Sequence, residues 1–216
     1  MAECIELIVL ATTKARDNSL VIHTLSREYG RRGFLVRVSK KVPMALFLPL
    51  NILEADVVSS PKSQLLSLRG ISARDPLNGI RGNIFKSGIT QFISEVLYRS
   101  VHEGLAEEGL YDWCLQCILT LDALEQDFAN VGVWFLLDYA AVLGFRPTFD
   151  DIAPFAGEHL QALKPFLAAP FSEAMLLPLD GNTRSALCES ILRYLEYHTE
   201  SAIPVRSLSV LRDLYR

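Results

Sequence analysis

Two cysteines stand three residues apart in the segment Cys114-Leu-Gln-Cys117, which is the spacing of half a zinc knuckle. Structural zinc sites take four ligands and usually draw such pairs from tight turns. Here both sulfurs continue the apolar stripe of a predicted helix, and the sequence contains no second CxxC and no HxxxH motif. We therefore interpret the cysteines as reduced thiols packed as small apolar side chains, and we expect no metal and no cofactor.

The other residues with catalytic potential do not form a recognisable motif. The four histidines fall in four different predicted elements, and the motifs GxSxG, GxxxxGK[ST] and GxGxxG are absent from the sequence. The carboxylate pair Asp150-Asp151 has the chemistry to hold a divalent cation. It follows Pro147, however, where a helix is expected to begin, and carboxylates favour that position. The sequence therefore predicts no catalytic residues and a protein that is not an enzyme.

The strongest chemical signal is the basic segment REYGRRGFLVRVSKK at residues 27–41, in which six of fifteen residues are cationic and one is acidic. Arginine predominates, and its planar guanidinium suits phosphate groups and stacking on bases. Two further cations lie in the preceding predicted turn. The predicted nucleic-acid contacts are Lys14, Arg16, Arg27, Arg31, Arg32, Arg37, Lys40 and Lys41. Tyr29, Phe34 and Phe47 are candidate stacking surfaces, although the alternation of the strand predicts that Phe34 points inward.

The charge of the chain is unevenly distributed. Residues 1–76 hold eleven Lys or Arg against seven Asp or Glu, a net charge of +4. Residues 77–216 hold ten against eighteen, a net charge of -8, which gives -4 for the whole chain. This asymmetry indicates two domains with different partners, one of them polyanionic. The simpler alternative is a solvated edge strand whose cations prevent aggregation.

The elements that must position these residues differ between the two parts of the chain. Residues 1–76 show extended runs over 5–13, 20–27, 46–58 and 64–73, together with the alternating segment after Gly33. About five short strands predict a closed or nearly closed β-barrel. Residues 77–82 read as a linker, and helical periodicity dominates residues 83–216. The fold class is therefore α+β multidomain, a five-stranded barrel followed by a helical bundle.

The helical part contains several separate patterns. Apolar residues recur with helical spacing from Ile84 and again from Leu110 to Leu124. Residues 128–143 are apolar nearly all round, which predicts a helix at the centre of the bundle that ends at Gly144. We expect one short helix over 158–167, a longer one from about Thr183 with Asn182 or Thr183 as its N-cap, and a last one over 207–215.

The order of these segments resembles the RecO family of bacterial recombination mediators and DNA-repair proteins. The similarity lies in "IVLATTKARDNSLVIHTLSREYGRRGFLVRVSKK" and "ALFLPLNILEADV", and continues in "FKSGITQFISEVLYRSVHEG", "FANVGVWFLLDYAAVLGFRP" and "IPVRSLSVLRDL". It therefore covers nearly the whole chain. The resemblance implies that residues 1–76 form an OB-fold nucleic-acid-binding domain joined to a helical domain at residues 83–216. Because the helical part is acidic and would not hold DNA easily, we expect it to bind protein partners.

The resemblance also implies a function and partners. Members of the family bind single- and double-stranded DNA, anneal complementary strands, and help load RecA on DNA covered by single-stranded-DNA-binding protein. The implied partners are RecR and the acidic C-terminal tail of that binding protein, and Arg206 in "PVRSL" is the candidate contact for the tail. Some members carry a four-cysteine zinc module, but residues 145–187 contain no cysteine here. The loop "SKKVPM" is also shorter and less basic than is common in the family.

Two alternatives remain open from the residues. The chain could be a non-catalytic scaffold that acts through its acidic helical domain, or an OB-fold adaptor that binds RNA, because OB barrels bind both nucleic acids. The N-terminus has no basic region before an apolar run, and the longest apolar helical run of the chain is far below about 20 residues. We therefore expect no membrane association and a cytoplasmic, nucleoid-associated protein.

Overall fold

The N-terminal part is a closed barrel in the computed structural model, which describes residues 3–16, 18–60 and 63–215. Its strands are β1 (Glu3–Arg16), β2 (Ser19–Ser26), β3 (Gly30–Arg37), β4 (Ile52–Ser60) and β5 (Ser63–Ala73). They follow one another round the barrel in the order β1-β2-β3-β5-β4. Strand β1 pairs with β4 antiparallel, and β3 pairs with β5 in parallel, which closes the sheet. The predicted five-stranded barrel of OB type is confirmed.

Alternation along β3 separates the barrel interior from its outer face. Phe34 and Val36 are fully buried, whereas Arg37 is exposed. Because successive side chains of a strand point to opposite faces, Arg31 and Arg37 share the outer face. Burial of one large apolar side chain contributes about 1.5–3 kcal/mol. The other strands add to the interior Ile5, Leu7, Val9, Ile22, Leu53, Ala55, Leu68 and Ile71.

The extended segment predicted over residues 46–58 is confirmed only from Ile52, where β4 begins, and residues 46–51 belong to the connection between β3 and β4. A 3₁₀ turn covers Met44–Phe47 before β4 begins. The buried side chain of Asn51 donates hydrogen bonds to the carbonyl oxygens of Ala45, at 3.0 Å, and Leu46, at 2.9 Å. These bonds satisfy carbonyl groups that a strand would otherwise have paired, so the chain turns back on itself here.

The remaining part of the chain is helical. The helices are α1 (Asn78–Arg81), α2 (Ile84–Ser100), α3 (Leu110–Ala123), α4 (Val131–Val142), α5 (Phe149–Ala156), α6 (Leu160–Ala168), α7 (Phe171–Leu176), α8 (Gly181–Thr199) and α9 (Ser207–Leu214). The segment predicted as a linker contains α1, a single helical turn. The single helix predicted over 158–167 is one of three, α5 to α7. Gly157, with φ of 52°, follows α5, and Pro170 precedes α7, so the backbone is interrupted twice.

Two helix caps refine the predicted boundaries. The N-cap of α8 is Asp180, whose carboxylate accepts a hydrogen bond from the Thr183 amide at 2.8 Å, so the helix begins before the predicted Asn182 or Thr183. In α5 the N-cap is Thr148, and the Asp151 carboxylate accepts a reciprocal hydrogen bond from the Thr148 amide at 3.1 Å. Asp151 therefore belongs to a capping box, and Asp150 lies beside it in the first turn of the helix.

The chain divides into two compact units. The barrel unit comprises residues 1–78 and 101–119, and the helical unit comprises residues 79–100 and 120–216. The barrel unit thus includes residues 101–119, which the sequence pattern assigns to the helical domain. Within the helical unit, the helix predicted at the centre is confirmed as α4, which is buried along most of its length, and Gly144 follows it with φ of 86°. Its Tyr139 hydroxyl lies 2.8 Å from the Ser100 hydroxyl, a fully internal hydrogen bond.

Candidate nucleic-acid interface

Arg27, in the turn between β2 and β3, is held by carboxylates of the barrel unit. Its Nη1 donates to Glu6 at 2.9 Å, and its Nη2 donates to Asp112 at 2.6 Å. Its guanidinium also lies 4.3 Å from the centre of the Tyr111 ring. Arg74 forms an ion pair with the other oxygen of Glu6, with Nε at 3.1 Å, and its Nη1 donates a hydrogen bond to the oxygen that Arg27 contacts, at 3.3 Å. Arg27 was a predicted phosphate contact, but its charge is balanced internally by two carboxylates.

The electrostatics of this network reinforce that conclusion. Hydrogen bonds to Asp112 and then to Glu6 raise the pKa of Arg27 above its usual value. Burial, followed by the charge of Glu6, raises the pKa of the Tyr111 hydroxyl, which therefore remains protonated at neutral pH. The network joins β1, the β2–β3 turn and the start of α3. Its evident role is to fasten residues 101–119 to the barrel.

Arg31 is also drawn toward an acidic residue. Its side chain is 16% exposed, and its Nη2 lies 3.7 Å from the Glu103 carboxylate. The backbone carbonyl of Arg31 accepts a hydrogen bond from the Gly104 amide at 2.9 Å. His23 lies on the neighbouring strand, and burial lowers the pKa of its imidazole, an effect that Glu103 opposes. Glu103 therefore partly neutralises Arg31. Arg31 adds less positive electrostatic potential to the outer face of the barrel than the basic segment alone would predict.

The predicted stacking surfaces are mostly unavailable. Phe34 and Phe47 are 0% and 4% exposed, so both belong to the core. Tyr29 packs edge-on against Phe34, with 5.8 Å between ring centres. The guanidinium of Arg32 lies 5.5 Å from the centre of the Tyr29 ring. Tyr29 therefore packs on the core and against Arg32. Of the three predicted stacking side chains, only the partly exposed Tyr29 is left for a binding surface.

The other predicted contacts gather at the opposite end of β3. Register places Arg16 opposite Ser19 and Ser19 opposite Arg37, so the backbones of Arg16 and Arg37 are two strand spacings apart, roughly 10 Å. Lys40 and Lys41 form the tip of the turn closed by Ser39 and Val42. We call this group the barrel-end cations: Lys14, Arg16, Arg37, Lys40 and Lys41.

The barrel-end cations are accessible wherever their side chains are described. Lys14, Arg37, Lys40 and Lys41 are exposed, and none of the four forms an ion pair with any residue of the described ranges. The backbone of Arg16 ends β1, but its side chain lies outside the described part of the structure. Arg31 and Arg37 are six residues apart on one strand, roughly 20 Å. The predicted track therefore divides. Arg27 and Arg31 have acidic partners and Arg32 lies over Tyr29 at one end of β3, whereas the barrel-end cations lie at the other end.

Two features of this surface have no signal in the sequence pattern. Met44 and Leu48, in the β3–β4 connection, are 52% and 43% exposed. The apolar run that contains them predicts a strand, in which they would be half buried. The acidic partners of Arg27 are 21 and 85 residues away in sequence, so local charge counting does not find them.

In the helical unit, Arg206 lies beside a groove between α8 and α9. The groove has a volume of about 450 Å³, and its walls include Arg193, Arg206 and Arg212 together with Leu192 and Ile203. Arg206 itself is exposed and precedes α9. The N-terminus of α9 is already occupied: one oxygen of Glu95 accepts hydrogen bonds from the amides of Arg206, at 3.1 Å, and Ser207, at 2.8 Å. The amides at the start of α9 are therefore occupied, so Arg206 can contact an anionic partner through its guanidinium but not through its backbone amide.

The described residues contain no group of three His, Cys, Asp or Glu that could hold a metal ion. Cys114 and Cys188 are buried and free, and burial raises the pKa of both thiols, to about 12 for Cys188. Both therefore remain neutral thiols at physiological pH, with little nucleophilic character. In the described ranges, no helix combines the length and apolarity that crossing a membrane requires.

Comparison with known proteins agrees with this architecture. The family model "Recombination protein O C terminal" matches residues 81–153. The protein named DNA repair protein RecO from Bacteroides fragilis is 29% identical over 236 residues, covering 96% of this chain and 97% of the relative. Proteins of the same name from Flavobacterium psychrophilum and Phocaeicola vulgatus are 26% and 27% identical, over 96% and 97% of this chain and 97% and 89% of theirs. The similarity to these proteins extends over nearly the whole chain, and the chain belongs to the RecO family.

Proposed function

We propose that the protein is a DNA-repair protein that binds single- and double-stranded DNA through the barrel-end cations. The observation that carries the proposal is the exposure of four of them and their lack of acidic partners within the described ranges, on a chain with a net charge of -4. Residues 29–53 hold five Lys or Arg and no Asp or Glu. A polyanion is the partner that this surface attracts, and the relatives are named DNA repair proteins.

The mode of binding follows from the chemistry of the side chains. Lysine and arginine contact phosphates, which position the protein on DNA without reading its sequence. If the five barrel-end cations each neutralise one phosphate, log K should fall with log salt at a slope of roughly -3 to -4 on a single strand. A surface of this kind suits a protein that must act at any sequence.

Annealing requires only this binding. Shielding of phosphate repulsion between two strands held on the protein lowers the barrier to their pairing. Assistance to RecA on DNA covered by single-stranded-DNA-binding protein then follows from local displacement of that protein. No step in this scheme breaks a bond or hydrolyses a nucleotide. The DNA substrate also places the protein in the cytoplasm with the nucleoid.

We assign the protein partners, RecR and the acidic tail of single-stranded-DNA-binding protein, to the helical unit. The acidic balance of residues 77–216 disfavours DNA there. The groove beside Arg206 is lined by three arginines, by the apolar side chains Leu192, Ile203, Val205 and Leu208, and by Glu189 and Glu196. Its three guanidinium groups outnumber its two carboxylates, and together with the apolar side chains they support binding of a short acidic and apolar peptide. Arg206→Glu should weaken binding of such a peptide and leave oligonucleotide affinity unchanged.

A fluorescence anisotropy titration with matched DNA and RNA oligonucleotides tests the proposal. We expect salt-dependent binding of DNA at about 0.1 M salt. Negligible affinity for either oligonucleotide would favour the scaffold alternative. A clear preference for RNA in competition would favour the RNA-binding adaptor. An annealing assay with complementary strands then separates simple binding from mediation.

A further inference from the structure

The β3–β4 connection presents apolar side chains directly beside cations. Lys40 and Lys41 form a tight turn, and the exposed Met44 and Leu48 follow within the next seven residues. Lys41 and Met44 are three residues apart, so their Cα atoms are within roughly 11 Å of each other. A phosphate group and an apolar surface can therefore be contacted at neighbouring points on one ligand.

This connection is a built structure that holds its apolar side chains outward. Phe47 is buried in the barrel core, and the Leu50 amide donates to the Val9 carbonyl at 2.8 Å. The buried Asn51 side chain fixes the 3₁₀ turn from inside, as described above. With the inner residues fixed, Met44 and Leu48 cannot turn inward without breaking these contacts. Their exposure is thus imposed by the fold of the connection.

The charge around these side chains selects the kind of partner. Residues 29–53 hold no acidic side chain, so an acidic surface or a polyanion fits and a basic one does not. Among polyanions, a single-stranded nucleic acid offers apolar faces as well as phosphates, because its bases are not enclosed in a duplex stack. Met and Leu are among the side chains that other proteins insert between the base steps of a duplex, at the cost of unstacking them. A single strand can offer base faces to the same side chains without that cost.

We infer that Met44 and Leu48 form an apolar contact for the bases of single-stranded DNA, beside the phosphate contacts of Arg37, Lys40 and Lys41. This inference rests on the proposed function and adds to it a determinant of strand selectivity. Duplex DNA reaches the cations but must unstack its base pairs before it can offer base faces to the two apolar side chains. The contact therefore favours single strands over duplexes while leaving the number of phosphate contacts unchanged.

The test is the double variant Met44→Ser with Leu48→Ser, in the full chain. We expect single-stranded oligonucleotide affinity to fall about three- to tenfold, which corresponds to roughly 0.7–1.4 kcal/mol for the two apolar contacts together. Duplex affinity and the salt slope on single strands should not change. The matched control is Ile84→Ser with Leu176→Ser, two side chains of the helical unit that are each 67% exposed, and it should bind as the unsubstituted protein does.

A second variant gives a readout that does not depend on affinity. The indole introduced by Met44→Trp should be quenched by a single-stranded oligonucleotide more strongly than by a duplex, relative to the native Trp113 and Trp134. Unchanged single-strand affinity in the serine variant, or an equal loss for single strands and duplexes, would overturn the inference. So would a loss of binding to anionic vesicles, or of self-association, with oligonucleotide affinity intact. If the unsubstituted protein does not bind oligonucleotides, the proposed function fails first, and this inference with it.

Discussion

The guanidinium of Arg27 and the carboxylate of Asp112 are joined by a 2.6 Å hydrogen bond across 85 residues of sequence. The same guanidinium is 2.9 Å from Glu6 and lies over the ring of Tyr111. This arrangement gives Arg27 a structural role within the barrel unit. It also separates Arg27 from the exposed cations at the other end of the basic segment, which have no such partners in the described ranges.

Substitution of Arg27 should therefore affect stability and spare DNA binding. Arg27→Met keeps part of the apolar contact with Tyr111 but removes both ion pairs. Because the side chain is 42% exposed, we expect a loss of only about 1 kcal/mol in the free energy of unfolding. For a chain of this length that lowers Tm by about 2–4 °C.

Arg37→Met is the matched control for Arg27→Met, since Arg37 is an exposed arginine of the same basic segment. Its Tm should equal that of the unsubstituted protein, and its oligonucleotide affinity should fall. Calorimetry and anisotropy on both variants measure the two effects side by side. If Arg27→Met weakened DNA binding as much as Arg37→Met, the distinction between paired and unpaired cations would be wrong.

Gly30 should be intolerant of any side chain. Its φ is 58°, and a Cβ atom there would overlap the carbonyl oxygen of Leu105. Gly104 is the matched control, since its φ of 81° is also positive but a Cβ atom there would have no described neighbour within 4 Å. Its substitution therefore measures the cost of the backbone conformation without a steric overlap. We expect Gly104→Ala to cost about 1–2 kcal/mol and Gly30→Ala clearly more. Urea unfolding measures both free energies of unfolding. Equal losses for the two variants would show that the Leu105 backbone does not pack closely against Gly30.

The contact of Glu95 with the start of α9 should make the helical unit sensitive to acid. Burial disfavours the charged form of Glu95, but hydrogen bonds from Ser207 and the Arg206 amide outweigh it and hold the pKa below its usual 4.5. A group whose folded pKa is lowered stabilises the fold above its unfolded pKa, and this contribution disappears as the pH falls through the lower, folded value.

Glu95→Gln tests this contribution. The variant should lose about 1–2 kcal/mol at neutral pH, since two amides and a hydroxyl lose their charged acceptor. Its unfolding free energy should also fall less steeply than that of the unsubstituted protein below about pH 4.5. Urea unfolding across this range is the measurement. Parallel pH profiles for the two proteins would contradict the assignment of the charge on Glu95 as the stabilising group.

Much of the fold could be predicted because it depends on local pattern. The alternation that buries Phe34 and Val36 identifies β3, and the uniformly apolar run of α4 identifies the central helix. The β3–β4 connection could not be predicted, because the hydrogen bonds of Asn51 override an apolar pattern that favours a strand. In the same way, residues 101–119 join the barrel unit through side-chain contacts that no local pattern records.

The candidate site was predictable only in part, for the same reason. Charge density identifies the basic segment, but it treats Arg27 and Arg37 alike. Whether a cation is available depends on acidic side chains brought near by the fold, such as Glu6 and Asp112 for Arg27 and Glu103 for Arg31. The sequence therefore identifies the region, and the structure identifies which of its cations remain for a ligand.

The salt dependence of single-stranded DNA binding by the triple variant Arg37→Ala, Lys40→Ala, Lys41→Ala tests the central claim most directly. The account predicts a slope of log K against log salt near roughly -3.5 for the unsubstituted protein and near roughly -1.5 for the variant, since each lost phosphate contact removes about 0.7. The variant should unfold at an unchanged Tm. An unchanged slope, with folding intact, would contradict the assignment of the barrel-end cations as the DNA contacts.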